Sequence, residues 1–270
     1  MPFHPDWLVP QWPAPDHVKS VFTTRHGGVS KPPFDSFNLG RPSGDDHSAV
    51  DTNRARLQAA IGWTPVFMHQ VHGVETVELP MAPGAGAPDL VLADACVSAT
   101  AGVVCTVRVA DCLPVLLTDT RGTVVAAVHA GWRGLANGVL EANFRSFEEL
   151  LRRQAGSPLA GSLANDTLAW LGPCIGPAAF EVGPEVRENF LSHDRAAQRC
   201  FLPRPGGKWL ADLAGLARQR LAALGVTGIY GNDGSPPWCT VSNPSLFFSH
   251  RRDSVALGGS GRMAACVWIA

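Results

Sequence analysis

Residues 101–130 of this 270-residue chain read AGVVCTVRVADCLPVLLTDTRGTVVAAVHA. The stretch contains three runs of apolar and β-branched residues, at 101–109, 113–118 and 123–129. Near-continuous apolarity of this kind is typical of strands that are buried on both faces of a sheet. The sequence therefore predicts three central strands that are covered on both sides.

Segments on either side of this stretch add helices and shorter strands. Apolar residues at helical spacing predict helices at 48–61, 135–153, 182–192 and 210–224. Further strands are predicted at 21–25, 65–71, 74–79, 168–171, 226–230, 246–249 and 263–269. Residues 1–20 are expected to form an irregular arm, and loops are expected at 81–88 and 156–166. No repeat or clean linker is found, so one domain is expected over residues 1–270.

Composition and charge limit the class of protein. The formal net charge is −1, so no broad basic face is expected, and neither nucleic acid nor an anionic membrane is an expected partner. No apolar stretch approaches 18 residues, and the N-terminus shows no signal-peptide pattern, so no membrane span is predicted. Seven cysteines without a Cys-x-x-Cys pair favour a reducing compartment, and a cytoplasmic protein is expected.

Polar residues stand where the predicted central strands end. His72 lies in a turn, Asp111 and Cys112 lie between two buried strands, and His129 ends the third run. Two imidazoles and one thiolate form a catalytic type of zinc set with a fourth position open to water. Each histidine then needs a carbonyl or carboxylate on its second nitrogen, for which Asp94 and Asp111 are candidates.

The spacing of these residues leaves other interpretations open. Cys112 and His129 also suit a nucleophile–base pair in a cysteine hydrolase. The same ligands with a weak axial Met68 or Met81 suit copper. Cys112 on its own is equally compatible with a buried apolar thiol.

Several motifs resemble those of the YfiH family, which is also described as a laccase-like multicopper polyphenol oxidoreductase or peptidoglycan-editing-factor family. The most specific are ADCLPV at residues 110–115 and VHAGWRG at 128–134. Others are FTTRHGGVS at 22–30, FNLG at 37–40, HQVHG at 69–73, GPCIG at 172–176, FEVG at 180–183 and FSHRRD at 248–253. The resemblance extends over roughly residues 20–269. His250 departs from it, since the family often has Tyr there, and residues 255–261 form a longer connection than usual.

The resemblance implies an α+β fold of two packed mixed β-sheets with helices on the outer faces. It implies zinc, with copper as the other possible metal, held by His72, Cys112 and His129. It also implies phosphorolysis of adenosine, inosine and methylthioadenosine to free base and ribose 1-phosphate or methylthioribose 1-phosphate, together with deamination of adenosine. Purine nucleosides and phosphate are thus the expected partners of a monomer or weak homo-oligomer.

Roles for other residues come partly from the same resemblance and partly from the chemistry that these reactions need. Asn38 and Arg54 match positions of the nucleoside or phosphate pocket. Arg54 is the first choice for binding phosphate and Arg25 the second, because a guanidinium binds phosphate oxygens bidentately. His26 is expected to contact substrate, and the expected catalytic residues are Cys112, Asp111 and Arg54. Trp132 is expected either to stack on a base or to pack beside the metal site.

Three rival functions come from other classes. A copper oxidase of phenols would need many imidazoles, and the chain has nine histidines with no His-x-His pair. A Cys–His hydrolase that edits cell-wall peptidoglycan precursors would use a nucleophilic thiol without metal. A metal-stabilised binding module would hold nucleosides without turning them over.

Overall fold

A computed structural model describes residues 2–81, 88–155 and 162–270. The strands are β1 (Val18–Phe22), β2 (Pro65–Val66), β3 (Thr76–Leu79), β4 (Ala95–Ser98), β5 (Val104–Val109), β6 (Leu113–Asp119), β7 (Val125–Ala130), β8 (Thr167–Leu171), β9 (Glu181–Val182), β10 (Phe201–Arg204), β11 (Lys208–Ala211), β12 (Gly228–Gly231) and β13 (Met263–Ile269). The α-helices are α1 (His47–Ile61), α2 (Trp132–Ala136), α3 (Val139–Gln154), α4 (Pro184–His193), α5 (Leu213–Ala223) and α6 (His250–Leu257).

Two mixed sheets form the centre of the fold. The six-stranded sheet has the order β12-β8-β6-β7-β4-β3, and the four-stranded sheet has the order β1-β13-β5-β2. Both sheets combine antiparallel pairs with parallel ones, such as β3 with β4 and β2 with β5. Strands β10, β11 and β9 form a small separate sheet.

Alternating side chains of the central strands fill two different core layers. Leu116 and Ala127 of the six-stranded sheet pack with Val107 and Ala265 of the four-stranded sheet. The next residue, Leu117, belongs instead to the layer that includes α3 and α5. Because successive strand residues face opposite sides, strands buried on both faces need apolar residues at every position.

Helices cover the outer faces of both sheets. Phe144 and Phe147 of α3 pack with the six-stranded sheet, and Leu57 of α1 packs with Val104 and Ala264 of the four-stranded sheet. The expected architecture of two packed mixed sheets between outer helices is therefore confirmed. None of the helices in the described ranges combines the length and apolarity needed to span a bilayer.

Several element boundaries differ from those predicted. The first strand runs Val18–Phe22 rather than 21–25, so the end of the expected irregular arm belongs to the sheet. No strand forms at 246–249, and α6 begins immediately afterwards at His250. Strands β4, β9, β10 and β11 were not predicted. Residues 82–87 and 156–161, in the two expected loops, lie outside the described residues.

The strand expected at 65–71 ends after Val66 because a side chain replaces its backbone pairing. The amide of Gln70 donates to the carbonyl of Arg108 at 2.8 Å and accepts from the backbone N–H of Arg108 at 2.9 Å. Strand β5 is thus bonded at this point by a side-chain amide, and the chain from Phe67 onwards is free to turn towards His72.

Candidate metal centre and adjoining cavity

Strand pairing brings Cys112 and His129 to the same edge of the six-stranded sheet. Strands β6 and β7 are antiparallel, with Leu113 opposite Ala130 and Pro114 opposite His129. The residue before β6 therefore lies beside the end of β7. His72 arrives from the turn before β3, and its Nε2 lies 3.7 Å from the Cys112 Sγ.

The three side chains fit a metal ion. Their ligand atoms all lie within 4.8 Å of one another, and the imidazoles of His72 and His129 meet edge to face with centroids 4.9 Å apart. A tetrahedral zinc ion with ordinary Zn–S and Zn–N lengths separates its nitrogen and sulfur ligands by about 3.6 Å. In the described part of the chain, this is the one group of three His, Cys, Asp or Glu side chains so arranged.

The carboxylate of Asp94 orients two of the three ligands. It accepts hydrogen bonds from the backbone N–H groups of Val71, His72 and Gly73 at 3.1, 2.9 and 2.7 Å. It also bonds the Nδ1 of His129 at 2.8 Å, which leaves Nε2 of that ring to face the ligand set. A carboxylate on the second nitrogen is the usual arrangement for a metal-binding histidine.

Electrostatic interactions within the ligand set change the protonation of its members. Burial by itself raises the pKa of the Cys112 thiol, but the imidazoles of His129 and His72 outweigh this and lower it to about 6. Burial lowers the pKa of His129, but Cys112 and Asp94 raise it to about 9. Without metal, the pair is therefore a thiolate beside an imidazolium at neutral pH.

Close packing explains two glycines of the VHAGWRG motif. A Cβ at Gly131 would lie 2.8 Å from the ring of His72 and 3.0 Å from the Cys112 Sγ. A Cβ at Gly134 would lie 2.7 Å from the carbonyl oxygen of Gly73. The turn after His129 can approach the other two ligands only because it lacks side chains at these positions.

Asp111 anchors a distant segment instead of facing the ligands. Its carboxylate accepts hydrogen bonds from the hydroxyls of Thr240 and Ser249 and from the backbone N–H of Arg251. Its backbone has a φ of 83°, a strained value for a residue other than glycine. Asp111 therefore holds the segment around residues 240–251 against the ligand set, and of the two carboxylates expected behind the histidines it is Asp94 that bonds the ring of His129.

A cavity of about 280 Å³ adjoins the three ligands and contains two arginines that the sequence analysis missed. Arg108 donates to the carbonyl of Met68, and Arg262 donates to the carbonyls of Ser260 and Gly261. Within the described residues, neither guanidinium forms an ion pair with a carboxylate. Burial lowers the pKa of both, that of Arg108 to about 10, so both stay cationic at neutral pH.

The four residues expected to bind substrate do not line this cavity. Arg54 pairs with Asp89 at 3.0 Å and lies over the ring of Phe67, which Arg108 of the cavity also contacts. Arg25 pairs with Asp35 at 3.3 Å.

His26 and Asn38 are engaged elsewhere too. The ring of His26 stacks on His4 and bonds a backbone carbonyl. Asn38 is fully buried, but its Oδ1 accepts from the backbone N–H of Gly40 and Arg262, so it shapes the cavity wall indirectly.

One sequence signal pointed to Arg108. It is the single charged residue in the apolar run 101–109, and a charge inside a strand that is otherwise buried is uncommon unless it serves a purpose. Arg262 carries no comparable signal, because it follows a Gly-rich connection whose path the sequence does not define.

Comparisons with known proteins agree over nearly the whole chain. A family model described as "Multi-copper polyphenol oxidoreductase laccase" matches residues 19–270. A Pseudomonas aeruginosa protein named purine nucleoside phosphorylase is 46% identical to this chain, and an Escherichia coli protein named purine nucleoside phosphorylase YfiH is 47% identical. Each match covers 97% of this chain and 98% of the relative. The crystal structure of a Neisseria meningitidis protein of the DUF152 family superposes on this chain with a TM-score of 0.86. The two are 42% identical, and the match covers 98% of this chain and 99% of that one.

The thiolate–imidazolium pair predicts how metal-free Cys112 reacts. Alkylation by iodoacetamide, followed by peptide mass spectrometry, should increase with pH around a midpoint near 6, because the thiolate is the nucleophile. In the His129→Gln variant the midpoint should move up towards that of an ordinary thiol, and metal should block the reaction. A midpoint near 9 in the unmodified protein would contradict the pairing.

Asp94→Asn should weaken zinc binding about 10- to 100-fold, because the carboxylate on Nδ1 of His129 orients that ring and makes it more basic. The matched control is Asp119→Asn. Asp119 is also buried and also accepts from three backbone N–H groups, but it contacts none of the three ligands. Competition with a zinc chelator measures both affinities, and an equal loss in the two variants would mean that Asp94 acts only through folding.

Proposed function

The chain belongs to the multi-copper polyphenol oxidoreductase laccase family, also known as the YfiH family, and on that premise we propose that it is a zinc-dependent purine nucleoside phosphorylase. It cleaves adenosine, inosine and methylthioadenosine with phosphate, releasing the base and ribose 1-phosphate or methylthioribose 1-phosphate, and it also deaminates adenosine. The observation that carries the proposal is the pair of arginines, Arg108 and Arg262, beside the His72–Cys112–His129 set.

The two arginines fit a phosphate dianion. Guanidinium groups without a carboxylate partner keep their charge available for an anion, and their planar donors match phosphate oxygens in pairs. Burial strengthens this attraction, since less water competes for either partner. The phosphate role expected for Arg54 therefore passes to Arg108 and Arg262.

The ligand set fits zinc because its donor atoms, two imidazole nitrogens and one thiolate sulfur, are those that zinc binds in proteins. When bound, zinc supplies Lewis-acid polarisation and activation of water near neutral pH. His72, Cys112 and His129 would hold the ion, and Asp94 keeps the ring of His129 in the orientation that presents Nε2. His72 is the most exposed of the three ligands, so substrate reaches the set from its side.

A copper oxidase of phenols is the first alternative, favoured by the description of the family model. Among the described residues, however, two imidazoles and one thiolate come together, far fewer ligands than a multicopper cluster requires. Elemental analysis of protein purified without added copper separates the two: stoichiometric copper without zinc would favour the oxidase.

A cysteine hydrolase acting on peptidoglycan precursors is the second alternative. The Cys112 thiolate, the His129 imidazolium and the Asp94 carboxylate form a chain that resembles a nucleophile, its base and an orienting acid. A hydrolase of this type predicts activity that survives chelation and is lost on alkylation. Loss of activity on chelation, with recovery on adding zinc, supports the phosphorylase.

The direct test is incubation of the zinc-loaded protein with adenosine, with and without phosphate. Chromatography should reveal adenine and ribose 1-phosphate only with phosphate, and inosine in both reactions. Cys112→Ala should lose both zinc and activity, because a thiolate ligand cannot be replaced by a methyl group. If fully loaded protein forms no adenine, inosine or hypoxanthine, the proposal fails.

Phosphate binding by the cavity arginines gives a kinetic prediction. Arg108→Met and Arg262→Met should each raise the KM for phosphate about 10- to 100-fold, the usual effect of losing a hydrogen bond to a charged group. Arg54→Met is the comparison variant, since Arg54 lies outside the cavity. The opposite ranking, with the largest increase in Arg54→Met, would return the phosphate role to Arg54.

A further inference from the structure

A second cavity, of about 310 Å³, lies against two of the three candidate ligands, His72 and Cys112. It shares four wall residues with the arginine-lined cavity, namely His72, Ala110, Cys112 and His250. The two cavities therefore meet at the His72–Cys112 wall. Each is small for a ligand pocket, where volumes of about 300–1,000 Å³ are usual, so a nucleoside and a phosphate together require both.

The two cavities differ in chemistry. No Phe, Tyr or Trp lines the first cavity, which presents Arg108, Arg262 and Gln70. The second is lined by the aromatic rings of Trp132 and Phe180 and by the aliphatic Ile175 and Leu213, with Arg133 and Arg251 beside the two rings. A phosphate dianion suits the first lining, and a flat, mostly apolar ring system suits the second.

Neighbouring contacts hold the two aromatic rings in place. The guanidinium of Arg133 lies 4.6 Å from the ring centroid of Trp132, and that of Arg251 lies 5.7 Å from that of Phe180. Arg251 also donates to the carbonyl of Glu181 at 3.1 Å. Each ring thus has a guanidinium against one face, a contact that favours a single orientation of the ring.

We propose that the second cavity binds the purine base against Trp132 and Phe180, while the first binds phosphate, so that the ribose lies between them at the His72–Cys112 wall. This inference rests on the proposed phosphorylase function and divides its two substrates between the two cavities. A phosphate oxygen then forms a bond to the anomeric carbon, the bond to the base nitrogen breaks with its electron pair leaving on the purine, and the proton of hydrogen phosphate ends on the base.

The test compares binding of the two substrates in aromatic variants. Adenosine affinity is measured as the KM for adenosine at saturating phosphate, because the zinc-loaded protein would deaminate adenosine during a dialysis, and the KM for phosphate is measured in the same turnover assay. Trp132→Leu and Phe180→Leu should each weaken adenosine binding about tenfold, a typical effect of losing one base–aromatic stack. Neither should change the KM for phosphate by more than about twofold, because both residues lie outside the phosphate cavity.

Two further variants separate stacking from packing. Trp132→Phe keeps an aromatic surface and should retain adenosine affinity within about threefold. Trp209→Leu is the matched control, because Trp209 is also half-buried beneath an arginine, Arg187, but lines neither cavity. Zinc content and melting temperature show whether each variant is folded.

The possible outcomes distinguish this inference from the function itself. If the unmodified protein neither binds adenosine nor turns it over, both the function and the placement are overturned. If it does both, but folded Trp132→Leu and Phe180→Leu bind adenosine normally, or lose phosphate and adenosine equally, only the placement of the base is wrong.

Discussion

The carboxylate of Asp94 is the interaction on which the site depends. It holds the turn that carries His72 through three backbone N–H groups, and it holds the ring of His129 through Nδ1. The backbone of the same residue accepts from the N–H of His129 at 2.7 Å. One buried residue therefore sets the distance between two ligands that are 57 positions apart in the chain.

The acidic and basic groups of the site differ in how far the protein itself neutralises them. The two carboxylates nearest the ligands, Asp94 and Asp111, are fully engaged by hydrogen-bond donors of the protein. The guanidiniums of Arg108 and Arg262 donate hydrogen bonds to backbone carbonyls and, among the described residues, form no ion pair with a carboxylate. The cavity therefore keeps a net attraction for anions although the whole protein carries a formal charge of −1.

Sequence reasoning reached the ligands but not the residues around them. Cys112 lies between two buried runs and His129 ends a third, and spacing alone left open what they do. The resemblance to the YfiH family joined both with His72 in one ligand set. The cavity arginines depend on details that spacing does not contain. Arg108 lines the cavity from a strand whose neighbour there is the side chain of Gln70, and Arg54, outside the cavity, pairs with Asp89, 35 residues away.

We propose that two imidazoles and one thiolate of this chain hold zinc, and X-ray absorption at the zinc edge of the purified protein measures that ligand shell. We expect one sulfur at about 2.3 Å and two imidazole nitrogens at about 2.0–2.1 Å, with the sulfur missing in Cys112→Ser. A zinc shell without sulfur, or copper in place of zinc, would contradict it.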